Sequence, residues 1–156
     1  MPSMDSLLAE VSRHHYPEPP ATPEQIAAFE ARAGWQLDPD LRAFYLHCNG
    51  AALFRPRLTA NYRVLSLDEI RRGRAAIRGS ESDKDGPASW YTLLYLQDGD
   101  YVLADVSRKE DGRYPLLDAF HETFPDPVET RQIAASFSEF LEKALASGDD
   151  FFWLDG

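Results

Sequence analysis

Cysteine is almost missing from this chain of 156 residues: Cys48 stands alone, so no disulfide forms within the chain and no metal site rests on paired thiolates. Histidine is nearly as sparse. His14, His15, His47 and His121 lack zinc-ligand spacing, because the His121-Glu122 pair has no second histidine four residues on. A nucleophile elbow is missing too: Ser136 and Ser138 fall at the start of a predicted helix, where Ser136 with Glu139 reads as capping chemistry. His47 precedes Cys48 directly, and helical neighbours point about 100° apart, which denies the two a nucleophile–base contact. No segment approaches the ~20 apolar residues of a membrane span, and residues 1–15 lack the basic start and apolar run of an export signal. A soluble, cytoplasmic, non-enzymatic protein without metal or cofactor is expected, touching neither membrane nor, directly, nucleic acid.

Acid, by contrast, is plentiful. The net charge is −10, and it is unevenly divided: residues 1–79 hold nine acids against ten Lys/Arg, residues 80–156 seventeen against six. A surface of that sign repels phosphates and attracts basic partners, raising association rates in a salt-dependent way. Ordinary solubility is the plainer reading of the same charge. At this length and 44% hydrophobic content the chain supports one domain with a core of its own.

Local signals are densest over residues 34–54. Asp38 before Pro39 predicts a helix start, since proline at the first helical position needs no N–H. Leu41, Phe44, Tyr45 and Cys48 then recur on one stripe, with Asp40, Arg42 and His47 largely off it, and Asn49-Gly50 predicts a tight turn. Residues 51–54 are apolar enough for a core strand or its edge. Upstream, Leu7, Leu8 and Val11 mark a short amphipathic helix, residues 16–21 are too proline-rich for helix or central strand, and Thr22-Pro23-Glu24-Gln25 has the capping-box arrangement. Ile26, Phe29 and Ala33 continue that second helix to Gly34. Trp35 and Leu37 are expected to pack into the corner between the helices, each such side chain contributing roughly 1.5–3 kcal/mol when buried.

Residues 54–61 read as a loop and 62–65 as a short strand. Ser66-Leu67-Asp68-Glu69 is a second capping box, predicting a helix of about three turns to Gly79. Its arginines Arg71, Arg72, Arg74 and Arg78 make residues 54–79 a basic island, seven Lys/Arg against two acids. Phosphate binding is one reading of such a cluster. A solvated helix face paired with the chain's own acids is the other, favoured because no glycine-rich loop or aromatic accompanies it. Residues 79–88 predict a mobile loop.

The β portion follows. Residues 90–96 are apolar on both alternating sets, as in a central strand. Asp98-Gly99 predicts a hairpin into residues 101–105, and Asp111-Gly112 a second turn into 114–118. Pro115 places that last strand at an edge, or pairs it on its other side. Ile133, Phe137, Phe140, Leu141 and Ala144 mark a C-terminal helix, after which Phe151, Phe152, Trp153 and Leu154 either dock back or stand exposed as a contact for a partner or a weak dimer. The candidate core is Trp35, Leu37, Leu41, Phe44, Tyr45, Phe137, Phe140 and Leu141. Asp98, Asp100, Asp105, Asp118, Glu122 and Asp126 fall near the sheet ends; the first five are the candidate partner-binding residues, and turn formation or solvation is the bland reading of all six.

With those residues in hand, the chain resembles the SUKH superfamily, which includes immunity proteins of bacterial polymorphic toxin systems and a fungal cell-wall-assembly regulator domain. The resemblance runs over about residues 22–145. It is carried by Leu37-Asp38-Pro39-Asp40-Leu41, Phe44-Tyr45, Asn49-Gly50, Leu65-Ser66-Leu67-Asp68-Glu69-Ile70, Asp98-Gly99-Asp100 and the stretch 133–141. It implies a single α+β domain: an antiparallel sheet of about four to six strands with helices packed against it, preceded by residues 1–21 and followed by a tail, 146–156. It carries no catalytic residue, and the four-arginine helix lies outside its pattern. Two functions follow from it: an immunity protein that occludes a cognate protein toxin, commonly a basic nuclease, through the acidic half-chain; or a regulatory or scaffold domain that binds an intracellular partner. A short chain without disordered flanks favours the first.

Overall fold

The computed structural model describes residues 3–154. The chain runs α1 (Met4–His14), β1 (Tyr16–Pro17), α2 (Pro23–Ala33), α3 (Pro39–His47), β2 (Ala51–Leu53), β3 (Tyr62–Val64), α4 (Gly73–Arg78), β4 (Trp90–Tyr95), β5 (Tyr101–Asp105), β6 (Leu116–Ala119), β7 (Gln132–Ala134) and α5 (Phe137–Leu145). Short acceptor side chains start α2, α3 and α5, as the sequence predicts. Thr22 and Gln25 close their capping box, with N–H···O distances of 2.8 and 3.1 Å. Asp38 accepts from the Leu41 N–H at 2.9 Å, and Ser136 accepts from the Glu139 N–H at 3.1 Å. Asp38 also reaches across the fold: its other oxygen accepts from the Tyr114 N–H at 2.9 Å, tying the start of α3 to the chain entering β6.

The seven strands lie in sequence order, every neighbouring pair antiparallel, so the sheet is an uninterrupted meander. The sheet has one strand more than the expected range, and the two strands that the sequence did not predict lie at its edges. β1 comes from the proline-rich stretch, where Tyr16 and Pro17 pair with Ala52 and Ala51; an edge tolerates proline because one side of the strand needs no ladder. β7 comes from residues assigned to the C-terminal helix: Ile133 lies in a strand, and the helix starts only at Phe137. β6 is therefore interior, and Pro115 takes part through its carbonyl, which accepts from the Asp105 N–H at 3.1 Å.

Pleating gives the sheet two faces. Val102, Ala104 and Leu116 point into the larger core with Leu8, Val11, Phe44, Tyr45, Phe137, Phe140 and Leu141, which α1, α3 and α5 supply. Leu103, Leu117 and Ala119 point the other way, into a smaller cluster with Trp90 and Phe124 that Ile77 of α4 packs against. Leu41, Phe44, Tyr45, Phe137, Phe140 and Leu141 are all fully buried, and Leu37 nearly so. Trp35 is only partly buried; it stacks edge-on against Phe29 and Tyr114, and its indole Nε1 has no acceptor. Asp40, expected off the apolar stripe, is buried as well, 3.3 Å from Arg113 Nε and from the Ser138 N–H. Those two contacts account for its burial, because a carboxylate is rarely enclosed unless paired.

Residues 66–88 depart most from expectation. Ser66 and Glu69 do form a capping box, but the helix it begins is a single 3-10 turn, Leu67–Glu69. Arg71 and Arg72 then run extended beside β4: the Thr92 N–H donates to the Arg71 carbonyl at 2.8 Å, and Arg72 bridges Tyr91. Sheet pairing thus overrides the local helix signal, and α4 restarts only at Gly73. Nor is the following loop free. Arg74 is buried, and its guanidinium donates to Glu81 (3.2 Å), Asp83 (2.6 Å) and the Gly86 carbonyl (3.1 Å).

Candidate functional site

The hairpin turn after β4 sets the geometry of the acidic end. Asp98 and Gly99 both take positive φ, 63° and 84°, as a tight antiparallel turn requires, and this delivers Asp100 at the start of β5. The Asp100 carboxylate accepts from the His121 N–H at 3.0 Å and lies 2.7 Å from its Nδ1, which fastens the loop after β6 to the hairpin. One strand over, Asp118 pairs with Val102 and so shares the face of the larger core. Here the tail packs on the body of the protein: Phe151 and Trp153 stack at 5.0 Å with their rings 16° apart, Trp153 is buried, and Arg131 donates to its carbonyl. The Tyr62 hydroxyl donates to the Asp150 carbonyl. Among the described residues, the tail therefore docks on its own chain.

Between tail, hairpin and loop lies a groove of about 590 Å³, lined by Leu96, Asp100, Asp118, Phe120, Thr123, Val128, Glu129, Arg131, Phe151, Trp153 and Leu154. Its rim is unusual in composition. Six large hydrophobic side chains are exposed among the described residues, and three of them, Phe120, Val128 and Leu154, stand on this groove. Scattered apolar exposure means little, but apolar groups gathered beside charged ones are what protein interfaces present. Burial pushes the Asp118 carboxyl up to about 6, against the pull of Arg131 and with the help of the Asp100 charge. A carboxylate held at the edge of its charged state, beside exposed apolar surface, costs stability in the free protein.

Of the acidic residues singled out from sequence, Asp100 and Asp118 line the groove together. Asp98 and Glu122 are exposed beside it, in the hairpin turn and next to His121. Asp126 accepts from the Val128 N–H at 2.8 Å and so shapes the loop. Asp105 lies apart, at the far end of β5, roughly 13 Å of strand away from Tyr101; it is buried and accepts from the Ser107 N–H and hydroxyl at 3.0 and 2.6 Å. Phe120, Val128, Glu129 and Arg131 escaped the sequence reading, whereas Leu154 belongs to the tail expected either to dock back or to serve as a partner contact. The available signal was Phe120 and Val128, apolar side chains in a loop of polar residues and proline whose third apolar side chain, Phe124, turns inward.

The basic island is largely consumed inside the molecule. Arg74 is held as above, Arg78 donates to the His121 and Phe124 carbonyls, and Arg72 donates to the Ala88 carbonyl at 3.2 Å. Arg57 and Arg63 converge on Glu69, at 3.2 and 2.8 Å, across an open polar depression of about 560 Å³ on the second sheet face. Against the cost of burial, the Ser66 N–H and these two arginines hold the Glu69 carboxyl below its ordinary value. That depression is thus neutralised from within, whereas the groove is not. Cys48 is buried in the main core, which pushes its thiol up to about 12. Among the described residues, no group of three His, Cys, Asp or Glu side chains converges as metal ligands, and no helix is long and apolar enough to cross a membrane.

Against known proteins, residues 20–143 match the model of the SMI1 / KNR4 family (SUKH-1). A relative, the immunity protein YokJ of Bacillus subtilis (strain 168), is 27% identical over 122 residues, which cover 76% of this chain and 71% of that protein. The matched family span ends before the tail that walls the groove.

Proposed function

The chain belongs to the SMI1/KNR4 (SUKH-1) family, and on that premise we propose that it is an immunity protein: a non-enzymatic cytoplasmic binder that neutralises a cognate secreted toxin by covering it. The observation that carries this reading is the groove, where exposed Phe120, Val128 and Leu154 sit among Asp100, Asp118 and Glu129. Apolar anchors supply affinity once water is excluded, and the acids around them steer and select a basic partner. The relative named an immunity protein supports the same reading. A nuclease fits the charge, because a surface that grips nucleic-acid phosphates is basic and the acidic half of this chain presents the opposite sign.

The test is co-expression with the product of the gene immediately upstream. Rescue of the cells from a lethal neighbour, together with a stoichiometric complex of this protein as a monomer, is the expected result. A harmless neighbour and no complex would sink the reading and favour a regulatory domain that binds an intracellular partner through the same groove.

A further inference from the structure

The carboxylates at the groove are not equivalent. Asp100 is committed to His121, through both its backbone N–H and its ring. Asp118, half-buried, receives no backbone N–H among the described residues, and its neighbours are Arg131, Asp100 and the Trp153 indole. Glu129 stands on the rim. A partner that closes over Phe120, Val128 and Leu154 strips further water from Asp118. Arg131 is its countercharge, but that guanidinium is also engaged by the Trp153 carbonyl and faces Asp118 together with the Asp100 charge, so an ionised Asp118 would then be disfavoured and closure must bring it either a further cation or a proton. An acidic partner segment is excluded by the same argument, and a purely apolar one would bind only with Asp118 protonated.

Resting on the toxin-binding reading, we propose that the groove receives one arginine or lysine side chain from an apolar segment of the partner. Its cation meets Asp118 beside Asp100, and its methylenes lie along Phe120, Val128 and Leu154. Long basic side chains suit this site because their stems are apolar while their heads are charged. Arg131, already turned to the Trp153 carbonyl, marks one wall and leaves the acids in excess. Cation and proton compete for Asp118, so association weakens as pH falls. The titratable and charged groups facing it are Asp100, Arg131 and Glu129, with His121 behind Asp100.

The experiment needs no toxin. An acetylated, amidated pentapeptide, Leu-Phe-Arg-Leu-Phe, is titrated into the full chain alongside its citrulline counterpart, which keeps the shape and loses the charge. Binding is read by NMR at the Trp153, Phe120, Val128 and Leu154 resonances. The arginine peptide should shift those signals and bind about tenfold or more tightly than the citrulline one, since a charge-assisted pair is lost. Lowering the pH from about 7.5 to about 5 should weaken the arginine peptide about tenfold and strengthen the citrulline peptide, which brings no cation and so gains when Asp118 takes up a proton. In Asp118→Asn both the preference for arginine and the pH dependence should collapse. Equal affinities for the two peptides, or no shift at the groove, would overturn the proposal. Failed rescue in cells with a bound arginine peptide would remove the toxin reading alone; rescue with no discrimination at the groove would remove this inference alone.

Discussion

Replacing Asp118 with asparagine should make the free protein more stable at neutral pH. The ordinary carboxyl value is 3.8 and the folded value is about 6, so the folded state holds the Asp118 proton more tightly than the unfolded chain does. Stability therefore falls as pH rises from about 3.8 to about 6, and the penalty is complete above that range. Two pK units correspond at most to about 3 kcal/mol. Asp118 keeps part of its surface in water and Arg131 screens it, which brings the penalty to about 1–2 kcal/mol. Asparagine keeps the shape of the neutral form and removes the charge. Urea unfolding at about pH 7.5 should show the variant more stable by that amount, with Tm higher by about 3–6 °C for a chain of this size. At about pH 4 the two proteins should coincide. Equal or lower stability of the variant at neutral pH would mean that Arg131 turns the ionised carboxylate into a net stabilising pair, and the picture of a strained binding site would fail. A variant that is more stable yet binds its partner less well is what a functional site built at the expense of stability predicts.

Other positions test the fold beneath the site. Gly50 has φ +104°, and a Cβ there would lie 3.0 Å from the Val64 carbonyl oxygen and 3.2 Å from the Ser66 nitrogen, so Gly50→Ala should cost about 2–3 kcal/mol in urea unfolding. Cys48, buried with its thiol pushed up to about 12, should not react with a thiol reagent at neutral pH in the native protein and should react at once in denaturant. Arg74→Ala should free residues 79–88 by removing their contacts through Glu81, Asp83 and the Gly86 carbonyl, so limited proteolysis should cut that loop faster than in the parent protein.

Elements with their own punctuation were legible from sequence: the Thr22 and Asp38 helix starts, the Asp98-Gly99 hairpin and the apolar run of β4 each carry their cause locally. Where tertiary pairing decided the outcome, they were not. The capping box at Ser66 is real, yet the chain leaves the helix after Glu69 because Arg71 and Arg72 find partners in β4. β1 and β7, two and three residues long, are too short for any alternation to register. The acidic end was visible as composition, and the hairpin named Asp100 within it. Asp105 stands at the other end of β5, since a strand carries its two ends apart. Phe120, Val128 and Leu154 span much of the C-terminal part of the chain, and only folding puts them on one rim.

Hydrogen exchange on the purified complex with the neighbouring gene's product tests the groove as the binding face most directly. Protection gained over residues 96–100, 118–131 and 151–154, with the rest of the molecule unchanged, is the predicted result. Protection confined to the Arg57–Glu69 depression on the opposite sheet face, with the groove exchanging as in the free protein, would contradict it.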